Sequence, residues 1–451
     1  RLIHMKIVII GTNHAGIAVA NTLLASPQKH EVVMLDRNNN LSYLGCGTAL
    51  WVGRQIDSNQ GLFYTNKEEF QKKGARISLE TEVTHIDYQA KKVYAKTKDG
   101  QELEESYDKL VLATGSLPIQ LPIPGSDLEG IHFLKLFQEG EAVDQEFAKD
   151  SVKTVAVIGA GYIGTELAEA AIRRGKKVLL FDGQDHSLPG YYDPDFSAQM
   201  DQNLEELGIE LHFKELATEF VGNDQGRVCE LVTDKGRYQV DTIISAVGFI
   251  PNIQLAQDHL ELGPSHAIHV DRHQQTSDPD VYAVGDCATI YSNALQAETY
   301  IALASNAVRS GLVAGYNIDG RVIEANGVQG SNGISINGLN FVSTGLTQQA
   351  AKDAGFEIEF VDFQDTQFPG FMPENEEVKI RIIYDKKSHR ILGAQLASRY
   401  DISANIHLFS LAIQEQVTID RLAFTDLFFL PHFNQPYNYI TQAALKSLDK
   451  E

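Results

Sequence analysis

The chain has 451 residues, 43% hydrophobic and 22% charged, a composition typical of a globular protein with roughly two to four domains. Its formal net charge of −22 argues against binding to nucleic acid or to an anionic membrane, because both need clustered Lys and Arg. No apolar run approaches the roughly 18 residues of a membrane span, the three scattered cysteines exclude a secreted disulfide framework, and no Cys/His spacing predicts a metal site.

The chain begins with a strand pattern and not with a secretory signal. The stretch "RLIHMKIVIIG" lacks the apolar segment and small-residue cleavage site that such a signal would show. We therefore expect Met5 to be the natural first residue and the protein to be cytoplasmic.

A strand, a glycine turn, a helix and a second strand are predicted first. The strands cover Lys6 to Ile10 and Val32 to Leu35, and the second ends at Asp36. The turn "GTNHAG", Gly11 to Gly16, has Asn13 where the middle glycine of G-x-G-x-x-G would stand. By itself it fits a tight turn as well as a nucleotide loop, but the acid after the second strand favours the nucleotide loop.

The same order returns in "TVAVIGAGYIGTELAEAAIRRGKKVLLFD". Here "GAGYIG", Gly159 to Gly164, is a complete G-x-G-x-x-G that follows the strand Val155 to Ile158 and opens a helix. Its helix N-terminus offers free N–H groups to a pyrophosphate. Asp182 is placed to accept hydrogen bonds from a ribose, and no Arg or Lys in "DGQDHS" would neutralise a 2′-phosphate. The motif therefore predicts NADH over NADPH.

Three later segments complete the predicted organisation. "YDKLVLATGSLPIQLPIPG" and "DTIISAVGFIPN" are interpreted as crossings between domains, punctuated by Pro and Gly. In "TSDPDVYAVGDCA" a strand ends at Gly285 and Asp286 and a helix is expected to follow, so that the acid binds a polyol chain and the helix start faces phosphate. From about Asn326 the pattern changes to α+β, with a hairpin around Asp385 to Ser388.

"SYLGCGTALW" places Cys46 between two glycines without a second cysteine nearby. A helix start after Cys46 is expected to lower the pKa of its thiol, and the imidazole of His14 could exchange protons with that thiol. The alternative is an inert buried cysteine.

The set "GTNHAG", "ATG", "GAGYIG" and "TSDPDVYAVGD" resembles the two-dinucleotide-fold flavoprotein disulfide reductases, from Met5 to the C-terminus. Their dithiol members have C-x-x-x-x-C, whereas Trp51 stands five residues after Cys46. "FLPHFNQPYNY" also departs from their His-Pro motif, with Pro431 before His432 and Tyr437 further on. The chain is identified as a member of the single-cysteine NADH oxidase/NADH peroxidase branch, and it is most similar to water-forming NADH oxidases of lactic acid bacteria.

This resemblance implies an α/β fold with two Rossmann-like dinucleotide-binding domains, for FAD and NAD, plus a C-terminal α+β dimerisation domain. The implied domains are residues 5–118 and 250–325 for FAD, 119–249 for NADH, and 326–451 for dimerisation in a homodimer or homotetramer.

The implied reaction is FAD-dependent oxidation of NADH with four-electron reduction of O2 to two waters. Cys46 would cycle between thiol and sulfenic acid, with His14 as its partner. An NADH peroxidase that takes H2O2 from outside, a coenzyme A-disulfide reductase and a redox-sensing binding protein remain the alternatives.

The expected site residues fall into two groups, with no metal ligands. Those expected to contact FAD are Gly11, Thr12, Asn13, His14, Ala15, Gly16, Asp36, Arg37, Ser42, Cys46, Val83, Ala113, Thr114, Gly115, Lys135, Asp286 and Ala304. Those expected to contact NADH are Gly159, Gly161, Tyr162, Ile163, Gly164, Glu166, Asp182, Tyr191, Gly248 and Gly333.

Overall fold

The computed structural model describes residues 4–450, and its helices and strands follow in chain order. The first segment contains β1 (Lys6–Ile10), α1 (His14–Leu24), β2 (Glu31–Leu35), α2 (Thr48–Val52), α3 (Lys67–Lys72), β3 (Arg76–Ser78), β4 (Thr81–Asp87), β5 (Lys92–Thr97), β6 (Glu102–Ser106), β7 (Lys109–Leu112) and β8 (Ser116–Pro118). The second contains β9 (Ile131–His132), α4 (Phe137–Ala148), β10 (Thr154–Ile158), α5 (Tyr162–Arg173), β11 (Lys177–Asp182), α6 (Pro194–Glu206), β12 (Glu210–Phe213), β13 (Ala217–Gly222), β14 (Val228–Thr233), β15 (Arg237–Gln239), β16 (Thr242–Ser245) and β17 (Phe249–Pro251).

The remaining elements belong to two parts of the chain, the return segment, which leads back to the first unit, and the C-terminal domain. The return contains β18 (Val281–Ala283), β19 (Ile290–Ser292), β20 (Ala297–Thr299) and α7 (Ala304–Ile318). The C-terminal domain contains β21 (Asn332–Ile336), β22 (Leu339–Gly345), α8 (Gln348–Asp353), β23 (Ile358–Thr366), β24 (Glu377–Asp385), β25 (Ile391–Ser398), α9 (Ser403–Gln414), α10 (Ile419–Leu422) and α11 (Tyr439–Leu445). Single 3-10 turns lie at Gly45–Gly47, Gln60–Leu62, Pro264–His266, Gly285–Cys287 and Leu448–Lys450.

Two parallel five-stranded sheets form around central strands with nearly continuous apolar runs, such as Ile7 to Ile10 and Val155 to Ile158. The first has the order β18-β7-β1-β2-β3 and the second the order β12-β11-β10-β16-β9. The interior residues of β1 and β10 are fully buried, as expected of strands covered on both faces. Because β18 comes from the return segment, the first unit is assembled from two separate parts of the chain.

The two predicted crossings lie side by side. β8 and β17 form an antiparallel pair in which Leu117 faces Ile250. This pair joins the first sheet to the second, so the chain leaves and re-enters the first unit at one place.

The C-terminal domain has an antiparallel five-stranded sheet in the order β21-β22-β25-β24-β23. The predicted hairpin is present, because β24 pairs with β25 across the turn that follows Asp385. The helices α9 and α11 pack on this sheet. The predicted fold class, two Rossmann-like α/β units followed by an α+β domain, is therefore confirmed.

The helix expected at Asp286 is only a short 3-10 turn. A single 3-10 turn, Gly285–Cys287, follows β18, and the long helix α7 begins only at Ala304. The intervening residues form the β19/β20 hairpin. Within residues 4–450, no helix combines the length and apolar character that crossing a membrane requires.

Candidate active site

A cavity of about 1320 Å³ lies between the two parallel sheets, at the carboxyl ends of their strands. It is larger than the roughly 300–1,000 Å³ typical of a site for one drug-sized ligand. Its wall is built from both glycine loops, the Cys46 turn, the start of α7, and residues of β21. The expected FAD and NADH residues all line it, with two exceptions, Ser42 and Gly164.

The first glycine loop is held closed by the acid at the end of β2. Asp36 accepts hydrogen bonds from the backbone N–H of Thr12 at 2.8 Å and from its hydroxyl at 2.9 Å. Gly11 has φ +109°, and a Cβ there would lie 2.1 Å from the carbonyl oxygen of Ala113. Close backbone packing therefore requires a glycine at position 11. The N-terminus of α1 faces the cavity.

The second loop repeats this arrangement. Asp182 accepts a hydrogen bond from the N–H of Ala160 at 2.8 Å, and Gly159 has φ +99°. A Cβ on Gly164 would lie 1.7 Å from the carbonyl oxygen of Gly159. Gly164 lies at the contact between α5 and β10, which is close because Gly164 has no side chain. It therefore does not line the cavity.

Ser42 also lies away from the cavity wall. Its side chain is fully buried, and its hydroxyl donates to the carbonyl oxygen of Thr65 at 2.8 Å. Its backbone N–H donates to the carbonyl oxygen of Thr12 at 3.1 Å. Ser42 thus ties the segment before Cys46 to the first glycine loop.

Cys46 lies in the 3-10 turn Gly45–Gly47, immediately before α2, and its side chain is exposed to the cavity. The prediction that the helix start lowers its pKa is wrong. Burial in the cavity raises the pKa of the Cys46 thiol, and the nearby carboxylate of Glu166 raises it further. Lys135 opposes both effects without reversing them. A five-residue helix is a weak dipole, so desolvation dominates.

His14 is the first residue of α1 and lines the cavity. Burial lowers its pKa, Asp286 raises it and Lys135 lowers it again, with a net decrease. Its Nδ1 lies 3.1 Å from the hydroxyl of Tyr64, whose ring is stacked with the imidazole. His14 is therefore neutral near pH 7 and able to accept a proton.

Glu166 lies on the cavity side of α5. Burial raises the pKa of its carboxyl group to about 7, with a further contribution from Glu169. A carboxyl group with this pKa can donate and accept protons near neutral pH. The structure thus places two proton-transfer groups, Glu166 and His14, on the wall that holds the Cys46 thiol.

A cation and two polar groups form a hydrogen-bonded cluster on the cavity wall. The ammonium of Lys135 donates to Asp286 at 2.9 Å and to the hydroxyl of Ser116 at 2.8 Å. The same Ser116 hydroxyl donates to Asp286 at 3.0 Å. Ser116 lines the cavity and was not predicted, because a serine after "ATG" has no motif of its own.

Comparison with known proteins identifies the family. The family model described as pyridine nucleotide-disulphide oxidoreductase matches residues 5–311, and the model of its dimerisation domain matches residues 334–438. The chain belongs to the pyridine nucleotide-disulphide oxidoreductases. The NADH oxidase of Lactococcus lactis subsp. cremoris is 64% identical over 445 residues, which cover 98% of this chain and 100% of that relative.

Further relatives in the family are similar over their full lengths. The NADH oxidase of Enterococcus faecalis is 40% identical over 448 residues, 98% of this chain and 100% of the relative. A water-forming NADH oxidase from Lactobacillus brevis, solved bound to NADH, has a TM-score of 0.95 and 37% identity, covering 99% of this chain and 98% of that one.

The C-terminal domain of this family member also contributes to the cavity. Asn332 and Ser331 line it beside the predicted Gly333. The Asn332 side chain accepts a hydrogen bond from the hydroxyl of Tyr162, and the hydroxyl of Ser343 donates to it at 3.2 Å. The sequence does not predict Ser331 and Asn332 as site residues, because no motif shows that this strand of the C-terminal domain lies next to the second glycine loop.

The other two cysteines lie outside the cavity lining. Cys287 is fully buried behind β7, and Cys229 is partly buried on β14. All three cysteines are free in the part of the chain that the structure describes. Trp51 is buried in the core and stacks on Phe137. A dithiol centre of the C-x-x-x-x-C kind therefore cannot form around Cys46.

Proposed function

We propose that this chain is a flavin-dependent NADH oxidase that reduces O2 to two waters. The observation that carries the proposal is a single cavity in which two dinucleotide loops meet one unpaired thiol, Cys46. Similarity to the NADH oxidase of Lactococcus lactis supports the oxidation of NADH, and similarity to the water-forming NADH oxidase of Lactobacillus brevis supports water as the product.

The first loop suits FAD and the second suits NADH. Helix N-termini face the cavity at both loops, and each is ordered by an acid positioned for a ribose, Asp36 or Asp182. Lys135 and Asp286 supply a cation and an acceptor for the polar parts of FAD. When bound, FAD would supply hydride acceptance from NADH and electron transfer to O2.

The chain's own residues would handle peroxide produced from O2. The Cys46 thiol is protonated at neutral pH because its pKa is raised, so it needs a base, and neutral His14 can take its proton. The resulting thiolate attacks one oxygen of H2O2, the O–O bond breaks, and sulfenic acid forms. The released hydroxide takes the proton from His14 and leaves as the first water.

The second half restores the thiol. The sulfenic acid of Cys46 receives two electrons that originate from a second NADH, its S–O bond breaks, and the hydroxyl group takes up one proton and leaves as the second water. The thiolate that remains takes up a second proton to restore the thiol. Glu166, with a pKa of about 7, can supply one of these protons. The cavity walls keep the sulfenic acid away from other thiols, because the remaining cysteines lie elsewhere in the fold.

An oxygen electrode tests the proposal. FAD-loaded protein should take up one O2 for every two NADH oxidised, and an added peroxide assay should detect no H2O2. NADH that is stable in air, and is oxidised only after H2O2 is added, would make the protein an NADH peroxidase instead. Thiol release from coenzyme A disulfide would favour the disulfide reductase.

The proposal also covers the oligomeric state of the protein and the limits of its domains. Exposed aromatic side chains of the C-terminal domain, such as Phe424, Phe428 and Tyr437, support burial against a second copy as a homodimer or homotetramer. The domain limits 5–118, 119–249, 250–325 and 326–451 and the cytoplasmic location stay predictions.

A further inference from the structure

The sheet of the C-terminal domain contains a buried arginine that the proposed reaction does not use. Arg381 on β24 is fully buried, and its guanidinium donates to three carboxylates. It reaches Asp195 at 2.7 and 2.5 Å, Asp362 at 2.7 and 2.8 Å, and Asp193 at 3.1 Å. Only Asp362 belongs to the same sheet, so the arginine ties the start of α6 to the C-terminal domain.

Asp193 is also held by residues other than Arg381. It is 2% exposed, and its carboxylate accepts four hydrogen bonds, from the backbone and side-chain nitrogens of Gln348, from Gln395 and from Arg381. Its own N–H donates to the side chain of Gln395 at 3.0 Å. All of these partners lie in the C-terminal domain, whereas Asp193 ends the loop that follows β11.

This loop leads directly to the cavity. Tyr192 is buried, its ring packs on Phe341 at 5.0 Å between ring centroids, and its hydroxyl lies 3.1 Å from that of Tyr162. Tyr191 lines the cavity, and its ring meets the ring of Tyr162 edge-on at 4.6 Å. The anchored carboxylate is therefore two residues from a side chain that lines the NADH half of the cavity.

We propose that Asp193, held by Arg381, Gln348 and Gln395, is a positioning residue for NADH. It fixes Tyr191 against Tyr162 before the dinucleotide arrives, so that binding does not have to order the loop. The inference rests on the proposed function only for its assignment of NADH to the second loop. A purely structural role of the cluster, joining two domains, is the competing explanation.

Titration of NAD+ into the FAD-loaded protein by calorimetry tests the inference without turnover. In Asp193→Asn the amide nitrogen cannot accept from the surrounding donors, so the Kd for NAD+ should rise about tenfold. The KM for NADH should rise by a similar factor, with a much smaller change in kcat. The matched control Asp362→Asn also removes a carboxylate from Arg381, but within the sheet, and should change the Kd less than about twofold.

A double variant separates positioning from domain joining. If Asp193 acts through Tyr191, then Asp193→Asn combined with Tyr191→Ala should bind NAD+ no more weakly than Tyr191→Ala alone. Additive losses, an unchanged Kd in Tyr191→Ala, or equal effects of Asp193→Asn and Asp362→Asn would overturn the inference. Should Asp193→Asn fail to fold, Gln348→Ala removes a donor to the same carboxylate and is expected to raise the Kd in the same direction.

The two proposals fail separately. A wild-type protein that binds NAD+ and shows the Asp193 effect, but does not oxidise NADH with O2, would contradict the proposed function and leave the positioning role intact. An active oxidase with an unchanged Kd in Asp193→Asn would contradict the positioning role alone.

Discussion

The two glycine loops have almost the same geometry although only the second has a glycine at the middle position of the motif. In both loops the first glycine has positive φ, and the last glycine leaves no room for a Cβ. The middle residues, Asn13 and Gly161, both have negative φ, at −102° and −74°. A Cβ on Gly161 would meet nothing within 4 Å.

This comparison separates two reasons for a glycine. The outer glycines are required by the backbone and by the packing of helix on strand. The fold does not require the middle glycine. In the second loop, the lack of a Cβ at this position therefore makes room for the ligand. The incomplete motif at Gly11 to Gly16 therefore still forms a complete loop.

The largest expected effect comes from filling the helix–strand contact. Gly164→Ala should lower the free energy of unfolding by about 3 kcal/mol, because its Cβ would overlap the carbonyl oxygen of Gly159. Gly16→Ala should cost a similar amount, since its Cβ would lie 2.0 Å from the carbonyl oxygen of Gly11. Thermal and denaturant unfolding measure both, with Gly161→Ala as the control. A Gly164→Ala variant with the wild-type free energy of unfolding would refute the packing argument.

The helices that follow the loops also differ at a half-buried position of the second loop's helix, where α5 has Glu166 and α1 has Ala18. Because burial raises the pKa of Glu166 from 4.5 to about 7, this group ionises in the unfolded state at a lower pH than in the folded state, and the free energy of unfolding falls as the pH rises from about 4.5 to about 7. Glu166→Gln should therefore match wild type below pH 4.5 and exceed it by about 2 kcal/mol above pH 7.

Denaturant unfolding of the FAD-loaded protein at several pH values measures this difference. The exposed Glu68→Gln variant controls for the loss of one negative charge. A stability gain that is the same at pH 4 and pH 8 would contradict the assigned pKa.

The middle position should affect binding and not folding. Gly161→Ala should unfold at the wild-type temperature but raise the KM for NADH about tenfold, equivalent to about 1.4 kcal/mol, because the methyl group would stand where a pyrophosphate approaches. Conversely, Asn13→Gly should leave the FAD content unchanged. Steady-state kinetics and the flavin absorbance of the purified protein measure these effects, and a normal KM in Gly161→Ala would undo the distinction between the two kinds of glycine.

The smallest effect is expected at the acids that close the loops. Asp182→Ala removes the negative charge that opposes a 2′-phosphate, so the preference for NADH over NADPH in kcat/KM should fall about fivefold. Asp36→Ala, the matching change in the first loop, should lower the FAD content and leave that preference unchanged. A shift of the preference by Asp36→Ala would mean that the two loops have been assigned to the wrong ligands.

The sequence predicts the parts of the site that depend on local patterns. The loops at Gly11 and Gly159, the acids that follow them, and the missing second thiol at Trp51 are all short-range features. The predicted direction of the Cys46 pKa shift is wrong, because burial by tertiary packing and the charge of Glu166, which is distant in sequence, both raise this pKa. Tyr64 and Asn332 were missed because tertiary packing alone brings Tyr64 against His14 and Asn332 to the cavity wall.

The role of Cys46 is tested most directly by the product of O2 reduction. In Cys46→Ser, the flavin should still be reduced by NADH, but the protein should release H2O2 and consume one O2 for each NADH instead of one for every two. Cys229→Ser, which changes a cysteine outside the cavity lining, should behave as wild type. If Cys46→Ser still converts O2 to water without detectable H2O2, the thiol is not the group that reduces peroxide.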